Sequence, residues 1–216
     1  MMTMAEPSGG RILRVRAAEG GARLLITLET GEGTGKETLS VFASRISQVP
    51  VVGEIGAVAL TRLRHEAQIS TALGVGLRSL AASGGSRVRL MQKLCSRGIA
   101  QEAAEEAVRE LAARGYLREN ESAMREAERA LAKLWGNRRI LSDLRAKGYN
   151  EEVLRPVRAR LADEDSVARC CRLMQKRRMT LPDSEPEAAR LMASLMRYGY
   201  TQEEIRAACK DLNKKQ

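Results

Sequence analysis

Three segments of this chain repeat one pattern at a fixed period: Leu94-Cys-Ser-Arg-Gly98-Ile, Leu144-Arg-Ala-Lys-Gly148-Tyr and Leu195-Met-Arg-Tyr-Gly199-Tyr. The glycines stand 50 and then 51 residues apart. Eight residues before each sits Leu90, Ile140 or Leu191, and thirteen after it Leu111, Leu161 or Leu212. Such a period marks a helical repeat array, in which each unit buries its neighbour's apolar face. An elongated array offers a long surface rather than a pocket, which directs attention to large, extended partners.

The spacing within each copy predicts three helices. Ile69, Leu73, Leu77 and Leu80 form one helical stripe, ended by Ser83-Gly-Gly85. Leu90, Met91 and Leu94 follow on a second helix, closed by Gly98, where glycine adopts a left-handed conformation without a Cβ penalty. Ala104, Ala107 and Leu111 then face inward, as do Leu154, Val157 and Leu161, and Ile205, Ala208 and Leu212. The first helices of the three copies are expected at about 65–82, 119–134 and 163–178. Asn150 and Thr201 can cap the third helix of their copies, Thr201 with Glu204 as a capping box, whereas Ala100 cannot. Pro156 falls about two turns into a helix and should kink it.

The first 64 residues read differently. Arg11–Arg16 and Arg23–Leu28 look like strands joined by Ala-Glu-Gly-Gly21, with Thr38–Phe42 as a third. Pro50–Gly56 reads as a turn and Ala57–Arg64 as a further strand or a helix start. The expected organisation is a disordered start over 1–10, a small β-rich module over 11–64, and three-helix repeats over 65–118, 119–162 and 163–216. The fold class is mainly α: three tandem three-helix units in an elongated array after a small β-rich N-terminal module.

Charge suits the same picture. The chain carries a net +10, with aromatic residues at only 3%, so Ala, Leu and Met must do most of the packing. Residues 1–64 hold 8 basic and 6 acidic side chains, and residues 65–216 hold 29 and 21, spread evenly over the repeats. A modest excess distributed along an array suits a polyanion or a long acidic surface. No stretch approaches the roughly 20 apolar residues of a membrane span, and the start lacks a signal-peptide core. Cys95, Cys170, Cys171 and Cys209 form no C-x-x-C pair and His65 is the one histidine, so neither a metal nor a disulfide framework is expected. A cytoplasmic protein with reduced thiols is the reading.

Thr30–Thr38 imitates a phosphate-binding loop, but Thr30 stands at the required first glycine and Glu37 at the magnesium-binding hydroxyl. His65 stands alone, and Glu102, Glu105, Glu106 and Glu110 have helix-surface spacing, so no catalytic residues, cofactor or enzymatic activity are expected. The basic clusters are the candidate contacts: Arg138 and Arg139, then Arg145 and Lys147, then Arg172, Lys176, Arg177 and Arg178, then Lys210, Lys214 and Lys215. Cations at helix C-termini are favourable for the dipole alone. Arg138 and Arg139 open a helix instead, where that explanation is absent, and stand out as the best local candidate.

The order of motifs resembles the RecX family, bacterial regulators of the RecA recombinase. The resemblance rests on Arg87–Leu94 with Gly98-Ile, on Gly115-Tyr-Leu-Arg-Glu119, on Gly136-Asn-Arg-Arg139-Ile140 with Leu144–Gly148, and on Arg197-Tyr-Gly199-Tyr200, covering about residues 65–213. Arg89 replaces the usual Glu, Arg118-Glu119 the usual Asn-Asp, and Ser122 the usual Phe. The β-rich start looks like the N-terminal extension of some members. The resemblance implies a non-catalytic regulator in the SOS response and homologous recombination. It would bind the recombinase filament on single-stranded DNA and inhibit its growth, ATP hydrolysis and strand exchange. A monomer with no membrane partner is expected, and the scarcity of aromatics makes any DNA contact phosphate-directed and non-specific; the alternative is a nucleic-acid-binding repeat protein without a recombinase partner.

Overall fold

The computed structural model describes residues 9–30 and 35–214. They form two compact units. The first joins the described residues through Ala82 to Leu90–Leu117, and the second joins Ser83–Arg89 to the described residues from Arg118 onward.

In the first unit, β1 (Gly10–Ala18), β2 (Arg23–Thr30), β3 (Lys36–Phe42) and β4 (Gly53–Ile55) build an antiparallel sheet in the order β3-β2-β1-β4. Alternation sends Leu24, Ile26 and Leu28 of β2 inward, with Ile12, Leu39 and Val41, to meet Leu60, Leu63 and Ala67 of α1 (Ala57–Ser83). Helix α1 is therefore longer than periodicity suggested. It starts at Ala57 because its first turns cover the sheet, so the expected boundary at 64/65 falls inside it. Gly10 is already paired with Thr30 and Ile55, so the expected disordered start ends before it; residues 1–8 lie outside those described. The expected turn over Pro50–Gly56 contains β4, which pairs with β1 through Gly10–Ile12.

The rest of α1 packs with α2 (Arg87–Cys95) and α3 (Gln101–Ala113) around Ile69, Leu73, Leu90, Leu94, Ala104, Ala107 and Leu111. In the second unit, α4 (Glu119–Ala132), α5 (Asn137–Ala146) and α6 (Glu151–Ala162) enclose Ile140, Leu144, Leu154, Val157 and Leu161. A third core around Leu173, Met174, Leu195, Ile205 and Ala208 is held by α7 (Ser166–Lys176), α8 (Glu185–Arg197) and α9 (Gln202–Asn213). The three-helix repeat is thus present in each copy. Asn150 accepts from the Val153 amide at 2.9 Å, Thr201 and Glu204 form the capping box, and Ala100 offers no side-chain cap. Pro156 lies inside a continuous α6 on its exposed side. The carbonyl of the exposed Glu152, deprived of its donor by the ring, can be reached by water.

The periodic glycines close their turns alike. Gly98, Gly148 and Gly199 have φ of 78°, 81° and 94°. The next amide, of Ile99, Tyr149 or Tyr200, donates to the carbonyl of Leu94, Leu144 or Leu195 at 3.4, 3.2 and 3.3 Å. In the second unit two of these turns also receive the start of another repeat's second helix. The Gly136 amide donates to the Tyr198 carbonyl at 2.8 Å, and the Arg138 amide to Gly199 at 3.2 Å. At the matching place the Ser86 hydroxyl donates to the Lys147 carbonyl. A Cβ on Gly199 would lie 2.4 Å from the Arg139 amide nitrogen, and one on Gly148 would lie 2.5 Å from the Val88 Cβ. Backbone-to-backbone docking, as well as turn geometry, requires glycine there. Ser122 is buried and accepts the Gly85 amide at 3.2 Å, a polar role for the residue that departs from the family pattern.

Candidate polyanion interface

The end of α4 stops on Leu134, whose φ of 59° is left-handed and strained for a branched side chain. This turn is held from below. The buried Tyr200 hydroxyl donates to the Leu134 carbonyl at 2.9 Å, and burial pushes that phenol up to about 12. Arg169, also buried, donates to the Asn137 side-chain oxygen, and Asn137 in turn donates to the Leu161 carbonyl at 3.3 Å. The Nε and Nη1 of Arg169 have no hydrogen-bond acceptor among the described residues. Its nearest carboxylate, Glu164, lies at 3.9 Å.

Above this support runs an alternating ladder of cations and rings. Lys133 lies 5.5 Å from the centroid of Trp135, and the Arg139 guanidinium stacks over the same ring at 3.9 Å. Arg139 also lies 5.7 Å from the ring of Tyr198, as does Arg177. Three helix ends converge here: α4 gives Lys133, α8 gives Tyr198, and α7 gives Arg177. Arg138, Lys176, Arg178 and Arg197 are exposed beside them. Among the described residues none of these cations forms an ion pair within 4 Å. Stacking holds a guanidinium by its face and leaves its N–H edge free, the geometry suited to two oxygens of a phosphate or carboxylate.

The candidate residues read from the sequence therefore separate. Arg138, Arg139, Lys176, Arg177 and Arg178 belong to the ladder and its border. Arg139 is partly committed, since it also donates to the Arg197 carbonyl at 3.5 Å. Arg145 and Lys147 do not join it. Arg145 is paired with Glu151 at 2.7 Å, and Lys147 with Asp143 at 2.7 Å and with Glu126. Burial alone would lower the Lys147 ammonium, but hydrogen bonds to Asp143 and Glu126 outweigh it and hold its pKa above the usual lysine value. Arg172 is exposed on α7, where its charge helps hold Glu164 low after the larger effect of Arg160. Lys210 and Lys214 stand at the far end of α9, about 16 Å along that helix from the ladder's turn. Lys215 lies outside the described residues.

Lys133, Trp135, Tyr198 and Arg197 were missed by charge clusters alone. The available signal was composition: the one tryptophan of an aromatic-poor chain sits four residues before Arg139. Elsewhere, Lys36 opens a strand rather than a helix, unlike the lysine of a phosphate-binding loop, although Gly31–Thr34 lie outside the described residues. His65 faces Glu106 at 3.6 Å. No group of metal-binding side chains occurs among the described residues, and no helix there is long and apolar enough to cross a membrane.

No protein-family profile matches the chain. Over 133 residues, 60% of this chain and 78% of the other, it is 33% identical to the regulatory protein RecX of Mycobacterium leprae (strain Br4923). A crystal structure of regulatory protein RecX shares its fold with a TM-score of 0.70 at 16% identity, over 94% of this chain and 99% of that one. The crystal structure of RecX from Lactobacillus salivarius matches with a TM-score of 0.58 at 18% identity, over 68% and 97%.

Proposed function

Because the chain belongs to the RecX family of regulatory proteins, we propose that it binds the RecA recombinase filament on single-stranded DNA. In doing so it inhibits filament growth, ATP hydrolysis and strand exchange. It acts in the cytoplasm as a monomer and catalyses no reaction of its own. The observation that carries the reading beyond family membership is the ladder. Lys133, Arg139 and Arg177 face two rings, Arg138, Lys176, Arg178 and Arg197 adjoin them or the rings in the chain, and none of these seven cations has an ion pair among the described residues. A nucleoprotein filament presents rows of phosphates and carboxylates to such a surface, and the edges of stacked arginines suit both. Because Arg139 covers Trp135, DNA contact is directed to phosphate rather than to stacked bases.

The test is the recombinase's DNA-dependent ATP hydrolysis across a salt series. Wild type should suppress it at micromolar concentration. Arg138→Glu with Arg177→Glu, both exposed, should weaken binding by about 1–3 kcal/mol, the usual range for interfacial charges. That difference should shrink as salt rises. Lys36→Ala should behave as wild type. If wild type changes neither hydrolysis nor filament length but still binds oligo-dT, the protein is a nucleic-acid-binding repeat protein without this partner.

A further inference from the structure

The outer face of the sheet in the first unit carries charge that the fold does not use. Val15 and Ile26 lie opposite each other and pack towards α1, so their neighbours Arg14, Arg16, Leu25 and Thr27 turn the other way. Register sets two rows across that face. In one, Arg14 lies opposite Thr27 and Thr27 opposite Thr38; in the next, Arg16 lies opposite Leu25 and Leu25 opposite Ser40. Arg14 and Arg16 are thus side by side, about 7 Å apart along β1. Both are exposed, and neither has an ion pair among the described residues. The other two arginines of the strands are taken. Arg11 lies opposite both Glu29 and Glu54 and reaches Glu54 at 3.9 Å. Arg23 donates to Glu19 and to Ser40 at 3.1 Å each and lies 4.1 Å from the centroid of the Phe42 ring.

Hydrogen-bonding chemistry narrows the occupant. Guanidinium groups only donate. The hydroxyls of Thr27 and Thr38 lie 3.2 Å apart, so one proton is spent between them and the other is left for a ligand. Neither row contains a carboxylate, and the Ser40 oxygen is engaged by Arg23. A peptide laid across this face would bring an amide donor for nearly every carbonyl and find few acceptors. The sugar-phosphate backbone of DNA brings acceptors alone, and arginine and threonine are among the side chains that bind it. Leu25 stands half-buried in the arginine rows. It gives the faces of unstacked bases an apolar floor, which a duplex with its bases stacked inward cannot use.

We propose that the outer face of the sheet binds the backbone of single-stranded DNA through Arg14, Arg16, Thr27 and Thr38, as a contact separate from the ladder. The inference rests on the charge and donors of this face and not on the recombinase reading. Because the face and the ladder lie in different units, each is tested with the other intact.

The experiment measures binding of the full chain to labelled oligo-dT across a salt series. Arg14→Gln with Arg16→Gln removes two phosphate contacts, so the slope of log affinity against log salt should flatten by about 1.4, at about 0.7 for each phosphate on a single strand. Arg14→Lys with Arg16→Lys keeps the charge and should keep most of the slope. Arg11→Gln with Arg64→Gln removes the same formal charge from arginines that already face carboxylates, and should flatten the slope by less than half as much. Leu25→Thr should weaken oligo-dT binding at an unchanged slope, since it removes apolar surface and no charge. An unchanged slope in the glutamine pair, or an equal loss in the Arg11 and Arg64 control, would overturn the proposal. An equal loss of affinity for a DNA duplex would overturn the single-strand assignment. Polyglutamate that displaces oligo-dT from wild type but not from the glutamine pair would assign the face to an acidic protein instead. The recombinase reading fails separately: if wild type leaves the recombinase's ATP hydrolysis unchanged while the glutamine pair shows the expected slope, the sheet face stands without it.

Discussion

In the first unit Gly98 turns the chain into open space, whereas in the second Gly148 and Gly199 turn it against the start of another helix. All three have left-handed φ, and the same hydrogen bond closes each turn. A Cβ on Gly98 would meet nothing within 4 Å, yet on Gly199 it would press on the Arg139 backbone. One sequence signal therefore serves two purposes: backbone conformation alone in one unit, conformation plus close approach in the other. The units also differ in what ties their parts together. Arg45 reaches from the strand-bearing segment to Glu66 on α1 and to Glu106 and Glu110 on α3, an ionic clasp. The second unit also has ion pairs between helices of one repeat, Lys147 with Glu126 and Arg160 with Glu128, but it joins one repeat to the next by backbone contacts at Gly136 and Gly199 and by Tyr200 beneath Leu134.

The sharpest test of this contrast is Gly199→Ala against Gly98→Ala. Gly98→Ala should lose about 1–2 kcal/mol, the strain of a left-handed alanine. Gly199→Ala adds a backbone clash and should lose more than about 3 kcal/mol. Urea melts of the two variants measure the difference. Equal losses would mean that the inter-repeat contact does not bear on stability.

Next in size is the clasp. Arg45→Ala leaves three carboxylates facing one another around a partly buried site. The loss should be about 2 kcal/mol, below the 3–5 typical of a fully buried pair because Arg45 keeps some solvent contact. Repulsion among the carboxylates is screened by salt, so the loss should diminish between low and high ionic strength. A salt-independent loss would assign the role of Arg45 to packing.

The repeat and its turns were legible because helix periodicity and glycine placement are local. The inward positions Leu90, Leu94, Leu154, Leu161 and Ile205 follow from spacing alone, and all are buried. The start of α1 was hidden because Ala57–Arg64 packs on a sheet, and the pattern it presents reflects tertiary contact rather than an isolated stripe. The ladder was half legible. Arg138 and Arg139 announced themselves as cations at a helix start, but their neighbours Arg177 and Tyr198 come from distant helix ends. Arg145 and Lys147 showed the reverse problem: basic in sequence, they are already paired by Glu151, Asp143 and Glu126 in the fold.

A smaller effect probes the support of the ladder. Tyr200→Phe removes the hydroxyl that holds Leu134 and should lose about 1 kcal/mol. It should also change the alkaline limb of stability. An ordinary phenol titrates near 10, while burial raises Tyr200 to about 12. Its neutral form is thus favoured by folding, and the contribution is fully present below about pH 10 and lost as pH climbs towards 12. The difference between wild type and Tyr200→Phe should shrink across that interval, and a difference constant with pH would contradict the assignment.

The smallest expected effect separates cations that are free from those already paired. Arg177 lies beside Tyr198 without an ion pair among the described residues, whereas Arg145 is held by Glu151 at 2.7 Å. Both are exposed, so neither substitution should unfold the chain. Each phosphate neutralised on a single strand contributes about 0.7 to the slope of log affinity against log salt. Arg177→Gln should lower the slope for oligo-dT by roughly that amount. Arg145→Gln should lower it by less, because Glu151, which it shares with Arg158, already offsets part of that charge. Exposed ion pairs add little to stability, about 0–1 kcal/mol, yet they still decide where positive charge is available to a ligand. Equal slopes for the two variants would show that internal pairing does not sort these cations, and that the protein meets DNA through its net charge rather than through the ladder.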